Sequence, residues 1–301
     1  MSNKIFTVSV GIPALNEQKN IKKLLLTLLR QKEIGFKFDQ IIVASDGSTD
    51  NTEKEVLSVK DNRIKLLSFK DRKGQAARQN DLVKEIHSDL VLLLNADVVP
   101  SSDDFTSELV KPFAENPRLG LVSPRLQPLK TVTFFEQIIN YSVRIKKSIF
   151  ETWKNGDNLF SCVGAARMFR KEFIKNFIWP DAISEDAFSY LSCLEKGYTF
   201  QLVRTATINL RSPSTLHDHI KQSSRFFNGS KIMKSFFADD FVKVNYSIPF
   251  PLIVKALVRY FIRNPFFFCS YAGILITSKI ASYRKKSKNN IWQVAASSKL
   301  I

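Results

Sequence analysis

Acidic residues run out well before the chain does. The last is Asp240, and segment 241–301 carries ten Lys or Arg with no Asp or Glu, so ten of the seventeen excess positive charges sit there. Cysteine is scarce: Cys162, Cys193 and Cys269 have neither metal-site spacing nor a pairing framework. That excludes a disulfide scaffold and predicts buried thiols in a reducing compartment, with the working part of the protein in the cytosol. No uncharged apolar run reaches the roughly eighteen residues of an ordinary membrane span. The N-terminal apolar stretch is broken by Pro13, Asn16 and Glu17 too early for a signal peptide. Glycine-rich phosphate loops are missing as well: neither G-x-G-x-x-G nor a P-loop follows a candidate strand, which weighs against a dinucleotide enzyme or an ATPase. What is present is globular composition over 301 residues, 44% hydrophobic and 24% charged, enough to bury a core. The net charge of +17 calls for an anionic partner, whether nucleic acid, nucleotide phosphate or acidic lipid.

Over the first 125 residues the hydrophobic period alternates. Residues 5–10 read as a strand, 17–30 as a helix with Ile21, Leu24, Leu25 and Leu28 on one face, and 40–44 as a second strand. Then come a helix over 52–59, an extended stretch over 64–68, a helix over 75–86 and a continuous apolar run over 90–94 suited to a buried parallel strand. This order predicts an α/β protein with a doubly wound sheet, whose ligands bind at the carboxyl ends of the strands.

Three strand ends carry polar residues. In IPALNEQKNI, Pro13 stiffens the exit and Asn16 and Glu17 stand before the helix, where helix capping is the competing explanation. In ASDGSTDNT, Asp46 ends the strand, Gly47 permits a tight turn and Asp50 suits a cap. In LLLNADVVP, Asp97 follows a buried apolar run, where a carboxylate is costly without a cation or hydrogen bonds. Together they suggest one pocket for a base and ribose, with a carboxylate for a hard cation bridging phosphates.

These stretches, together with DRKGQAARQN, resemble in order and spacing the nucleotide-sugar-binding half of family 2 glycosyltransferases of the GT-A fold. The resemblance implies a Rossmann-like, doubly wound mixed sheet binding a nucleoside-diphosphate sugar, with a lean toward UDP. Pro13, Asn16 and Glu17 would flank the base, Asp46 would hold it, and Lys73 would lie near the donor. The family's D-x-D motif reads Asn95-Ala96-Asp97 here. An amide replaces the first carboxylate, leaving Asp97 as the expected ligand of Mg²⁺ or Mn²⁺.

Further along, ISEDAFSYLSCLEKGYTF looks like the family's S/T-E-D motif, which makes Asp186 the general base, with Glu185 supporting it. A carboxylate within reach of the acceptor hydroxyl would deprotonate it as it attacks the anomeric carbon, inverting the configuration. A plain helix start is the competing reading of Ser184, Glu185 and Asp186. SCVGAARMFRKEFI, with Gly164 and Arg170, is similar to the acceptor-side strand. Gln222, Arg225 and Phe226 resemble the Q-x-x-R-W segment of processive cellulose, chitin, hyaluronan and poly-N-acetylglucosamine synthases, with Phe for Trp. An Arg there suits a diphosphate and the ring an acceptor. His217 and His219 form an H-x-H pair: either would be a further metal ligand if both lie on one side of a strand, and surface or helix-start histidines are the competing reading.

The basic tail is apolar over 247–278, with Lys255, Arg259 and Arg263 at i, i+4, i+8 on one helical face. That is the build of a helix lying in a membrane interface, its cationic stems reaching the headgroups. Pro265 breaks it, a second apolar helix follows over 264–278, and Arg284, Lys285, Lys286 and Lys288 would face an anionic leaflet. Cations set among Phe and Leu do not suit nucleic acid. The sequence therefore predicts a catalytic domain over 1–240, with donor half about 1–125 and acceptor half about 126–240, and a membrane-interface region over 241–301. The expected protein is an inverting, metal-dependent transferase on the cytoplasmic membrane face, acting on a lipid-linked or membrane-presented glycan. The alternatives are a processive synthase needing a partner membrane subunit and a non-catalytic nucleotide-sugar-binding membrane protein.

Overall fold

The computed structural model describes residues 5–181, 184–227 and 229–284, with side chains for all of these except 224–227 and 282–284. Its first half follows the predicted alternation: β1 (Phe6–Ala14), α1 (Ile21–Leu29), β2 (Phe36–Asp46), α2 (Thr52–Ser58), β3 (Ile64–Phe69), α3 (Gln75–Glu85), β4 (Leu90–Leu94), β5 (Val98–Pro100), α4 (Phe105–Glu115) and β6 (Leu119–Pro128). The second half is more helical. It runs through α5 (Phe134–Phe150), β7 (Ala166–Arg170), α6 (Lys171–Ile174), α7 (Glu185–Glu195), β8 (Thr199–Leu210), α8 (Leu216–Phe227), α9 (Gly229–Met233), α10 (Asp239–Tyr246), α11 (Phe250–Arg263) and α12 (Pro265–Arg284).

Among the described residues the strands form one sheet in the order β3-β2-β1-β4-β7-β6-β8-β5. Strands β1 to β4 are parallel, β7 runs antiparallel to both β4 and β6, and β5 antiparallel to β8, so the sheet is mixed as expected. Both faces are covered, which explains why 90–94 is apolar without alternation. Leu90, Leu92 and Leu94 enter the core layer of α1 and α4, while Val91 and Leu93 enter the opposite layer with Leu82 and Leu191. Topology decides where the ligand edge lies. From β1 the chain steps to β2 on one side and later returns to β4 on the other, leaving a crevice at their carboxyl ends. Because β7 is antiparallel, its first residue Ala166 pairs with Leu94 and brings Gly164 and Ala165 to that same edge.

Two helices carry clear sequence reasons for where they start. Thr133 and Glu136 form a reciprocal capping box that opens α5, and Arg211 pairs with Glu136 at 3.1 Å. Pro249 and Pro251 bracket the first residue of α11, where a missing N–H costs nothing.

The predicted boundary at 240 falls inside α10. Val242 is fully buried and Phe241 and Tyr246 pack on the same core cluster, so the compact unit continues through Tyr246. Beyond it, α11 lays Ala256 and Tyr260 on Ile145 and Ile149 of α5, and α12 packs Tyr271 on Ile138 and Ile139. The outer face of α11 stays open: Phe250, Val254, Val258 and Ile262, four residues apart, are 75%, 39%, 52% and 73% exposed, beside the row of Lys255, Arg259 and Arg263. By length and composition the stretch Asp239–Arg263 is apolar enough to cross a membrane, an 18-residue window within it having mean hydropathy 1.3, which the sequence-based expectation of no ordinary span did not anticipate. In the fold this stretch is divided between α10 and α11. The polybasic residues Lys285, Lys286 and Lys288 lie outside the described residues, as does the side chain of Arg284. Cys162 and Cys193 are buried as expected, but Cys269 is exposed on α12.

Candidate active site

A cavity of about 840 Å³ opens over the carboxyl edge of β1, β2 and β4. Pro13, Glu17, Asp46, Asn95 and Asp97 line it from the first half, and Gly164, Glu185, Asp186, His219 and Gln222 from the second. Residues far apart in sequence thus meet in one place.

Asp46 is more firmly held than the sequence suggested. One carboxylate oxygen accepts from the Lys73 amide at 2.8 Å and from Arg78 Nε at 2.7 Å; the other accepts from the Gly74 amide at 2.8 Å. Arg78 is 2% exposed, donates to Asp81 and to the Asp71 carbonyl, and its guanidinium lies 3.6 Å above the Phe69 ring centroid. The pair fixes the 71–74 turn, so Arg72, Gly74 and Gln75 reach the cavity wall while Lys73 contributes its backbone and keeps its side chain in solvent. Gly47 allows the matching turn after β2. Its φ is +71°, and a Cβ there would sit 3.0 Å from the Lys70 carbonyl oxygen.

Asn16 does not reach the cavity wall. With φ of +55°, which Asn tolerates, it accepts from the Thr49 amide at 2.8 Å and donates its own amide to Ser48, stitching the loop after β1 to the loop after β2. Glu17 is buried against Asn20 and Thr52. Asn95 accepts from Gln75 Nε2 at 2.8 Å, so its amide oxygen is engaged by the protein, and Asp97 follows on the cavity wall. Among the described residues no cluster of three or more His, Cys, Asp or Glu offers a metal cage. With Asp46 and Glu17 engaged by protein donors, the strand end Asn95–Asp97 offers one carboxylate, Asp97, which fits an ion that brings its other ligands from substrate phosphates and water.

Asp186 opens α7. One oxygen accepts from the Ser184 hydroxyl at 2.5 Å and the Ala187 amide at 2.8 Å. The other faces Gly164, where a Cβ would stand 3.5 Å away, so the missing side chain keeps the carboxylate approachable. Behind it, the Glu185 carbonyl accepts from Arg167 Nη1 at 2.7 Å and Trp179 Nε1 at 3.2 Å, and Arg167 also reaches Ser189 and Gln79. Burial, with the Asp186 charge adding, pushes the Tyr246 phenol up from its usual range. Arg170 lies at the other end of β7, opposite Leu90, and donates to carbonyls of Phe113, Asn116 and Leu119, so it serves the fold and not this edge.

The fold decides between the two readings of the histidine pair in favour of the helix start. The segment is helix α8, not a strand, so residues two apart face different ways: the His217 side chain is 70% exposed, while His219 is buried between Phe135 and Tyr271. Burial, helped by Lys146, holds His219 down at about 4, hence neutral. Gln222 lines the cavity one turn on; the side chains of Arg225 and Phe226 lie outside those described. Sequence reading missed Arg78, Arg167 and Tyr246. A charge inside the apolar strand ARMFR was a usable signal for Arg167, and Arg78 lies inside the quoted stretch DRKGQAARQN; nothing local marks Tyr246.

The family model described as "Glycosyl transferase family 2" matches residues 9–177. Poly-beta-1,6-N-acetyl-D-glucosamine synthase of Staphylococcus aureus (strain COL) is 27% identical over 233 residues, covering 74% of this chain and 55% of that protein, so the chain spans about half the length of this relative. Among solved structures, the mannosyltransferase PcManGT of Pyrobaculum calidifontis, in complex with GDP-Man and Mn²⁺, aligns at TM-score 0.59 and 19% identity over 92% of this chain and 76% of that one. Staphylococcus aureus TarS 1–349 in complex with UDP aligns at 0.55 and 16% over 85% and 72%. These likenesses bear out the expected GT-A fold.

Proposed function

The chain belongs to glycosyl transferase family 2, and from that premise we propose that it moves a sugar from a nucleoside-diphosphate sugar, UDP-linked in the first instance, to a lipid-linked or membrane-presented glycan. The observation that carries this reading is that Asp186, presented beside Gly164, shares one cavity with Glu17, Asp46 and Asp97. Asp186 takes the proton from an acceptor hydroxyl. The oxygen bonds to the anomeric carbon as the bond to the diphosphate breaks on the opposite side, so the configuration inverts. Ser184 and the Ala187 amide hold one carboxylate oxygen in place, and the Arg167 and Trp179 contacts to the Glu185 carbonyl position the turn. In this reading Pro13, Glu17 and the Asp46-braced turn border the base, Asn95 orients Gln75, and Asp97 holds Mn²⁺ or Mg²⁺ arriving with the nucleotide. When bound, such an ion neutralises the diphosphate charge. Support for the nucleotide comes from relatives of the same fold solved with UDP and with GDP-Man and Mn²⁺.

A thermal-shift series tests the donor assignment. UDP with Mn²⁺ raises Tm, because a ligand held only by the folded state stabilises it by about 2.7 kcal/mol at a hundredfold excess over Kd. Chelator or Asp97→Ala reduces the shift, and no shift with any nucleoside diphosphate would overturn the reading. A second reading, a subunit of a processive polysaccharide synthase, is favoured by the 27% identity to the poly-beta-1,6-N-acetyl-D-glucosamine synthase.

The open face of α11 supports residence on the surface of an anionic membrane, with the apolar row in the acyl boundary and the cations at the headgroups. Phe250→Glu with Ile262→Glu is expected to weaken binding to anionic vesicles by at least about 100-fold, since each buried side chain of this size contributes about 1.5–3 kcal/mol. Parent-like sedimentation with vesicles would place the membrane contact elsewhere.

A further inference from the structure

The cavity wall built by α5, α8 and α12 carries polar groups that sugar transfer as proposed above does not use. Lys146 of α5 lines it with its ammonium 5.6 Å from the Tyr271 ring centroid, and among the described residues no carboxylate stands within ion-pair distance of it. His219 of α8 and Tyr271 of α12 line it too. They are 6% and 7% exposed, and neither His219 Nε2 nor the Tyr271 hydroxyl has a hydrogen-bond partner. A buried polar group left unpaired costs about 1–3 kcal/mol, so two such groups on one wall mark a place that a ligand completes. Their rings are 6.4 Å apart. Lys147 also lines the cavity, but it stands 3.9 Å from Glu151 and, among the described residues, leaves the free charge on this wall to Lys146.

The ligand's other half is indicated by what adjoins this wall. Leu275, one turn beyond Tyr271, lines the cavity and is still 37% exposed; Ile276 and Ile280 continue an apolar surface at 60% and 49%. A cation, two unsatisfied hydrogen-bonding groups and an adjoining apolar helix complement a phosphate whose other substituent is a hydrocarbon chain. We propose that Lys146, His219 and Tyr271 form a subsite for the phosphate of a lipid-linked acceptor. This deepens the transferase reading and rests on it for the word acceptor. Lys146 supplies the charge, Tyr271 donates one hydrogen bond, and neutral His219 with its proton on Nε2 donates another. Because Tyr271 belongs to α12, the apolar C-terminal helix is itself part of the acceptor wall.

The test uses the full chain and three probes: octyl phosphate, uncharged octyl glucoside and inorganic phosphate, titrated calorimetrically in the presence of saturating UDP and Mn²⁺. Octyl phosphate is expected to bind about tenfold or more tightly than either other probe. Lys146→Ala is expected to lose about tenfold for octyl phosphate and nothing for octyl glucoside. Tyr271→Phe, which keeps the packing, is expected to lose part of the same preference. Equal binding of octyl glucoside would reduce the site to an apolar groove, and equal binding of inorganic phosphate would make it a soluble-anion site; either overturns the proposal, as does parent-like affinity in Lys146→Ala. Competitive displacement of octyl phosphate by UDP would assign the cation to the donor diphosphate and overturn it as well. The UDP thermal shift on the same samples separates the two readings: its absence, with the octyl phosphate preference intact, removes the donor assignment and leaves the phosphate subsite standing.

Discussion

Asp186→Asn lowers turnover by about 10²–10⁴-fold while the UDP-induced rise in Tm stays at the parent value, if the carboxylate is the base that takes the acceptor proton. The substitution is nearly isosteric, and the oxygen that accepts from Ser184 and the Ala187 amide can remain an acceptor, so the α7 start keeps its hydrogen bonds. What is lost is the basic oxygen facing Gly164. Turnover is read as sugar release from the donor and as transfer to acceptor. Near-parental turnover would remove the base assignment, and loss of both turnover and UDP binding would show that Asp186 serves the donor. Gly164→Leu offers a steric counterpart: a large side chain in front of the same oxygen should raise KM for the acceptor and leave the donor alone.

Arg78→Ala is expected to cost about 3–5 kcal/mol of stability, the penalty for leaving a buried carboxylate without its partner. Asp46 is 4% exposed and would keep two backbone donors, from Lys73 and Gly74, but lose the guanidinium at 2.7 Å. The 71–74 turn would loosen with it, because Arg78 also donates to the Asp71 carbonyl. Urea unfolding measures the cost, and the paired change Asp46→Leu with Arg78→Met should recover most of it, since both buried charges are then gone. A loss below about 1 kcal/mol in the single variant would mean the pair is screened by solvent and does not brace the donor edge. UDP affinity should fall in the single variant as well, since Arg72, Gly74 and Gln75 hold their places on the cavity wall through this turn.

Much of the donor half was legible because its signals are local. Apolar runs of five to nine residues with turn chemistry between them allow few alternatives, and polar residues at strand ends mark the ligand edge of a parallel sheet. Asp97 after LVLLLNA could be singled out in this way, Asp186 through the resemblance of its S-E-D stretch to the family motif, and both do line the cavity. Asn16, which fits the same pattern, and Lys73, which the resemblance implied, do not line it: one makes a loop-to-loop contact and the other offers its backbone to Asp46. Pattern cannot distinguish a side chain that faces a ligand from one that holds a neighbouring turn, because both are polar, near a strand end and close in sequence.

Periodicity, turn residues and net charge, all properties of short stretches, set the α/β order, the crevice edge and the basic apolar tail, and four motif stretches pointed to the family. Which partners meet was set by packing between distant elements. It joined Asp46 to Arg78 across 32 positions, turned His217 outward and His219 inward by making their segment a helix, and carried the compact unit past residue 240. It also brought Tyr271 of the tail to the same cavity as Asp186 of the catalytic half. These are contacts between elements distant in sequence, fixed by how helices α5, α8 and α12 pack beside the sheet edge, and no local period encodes that packing.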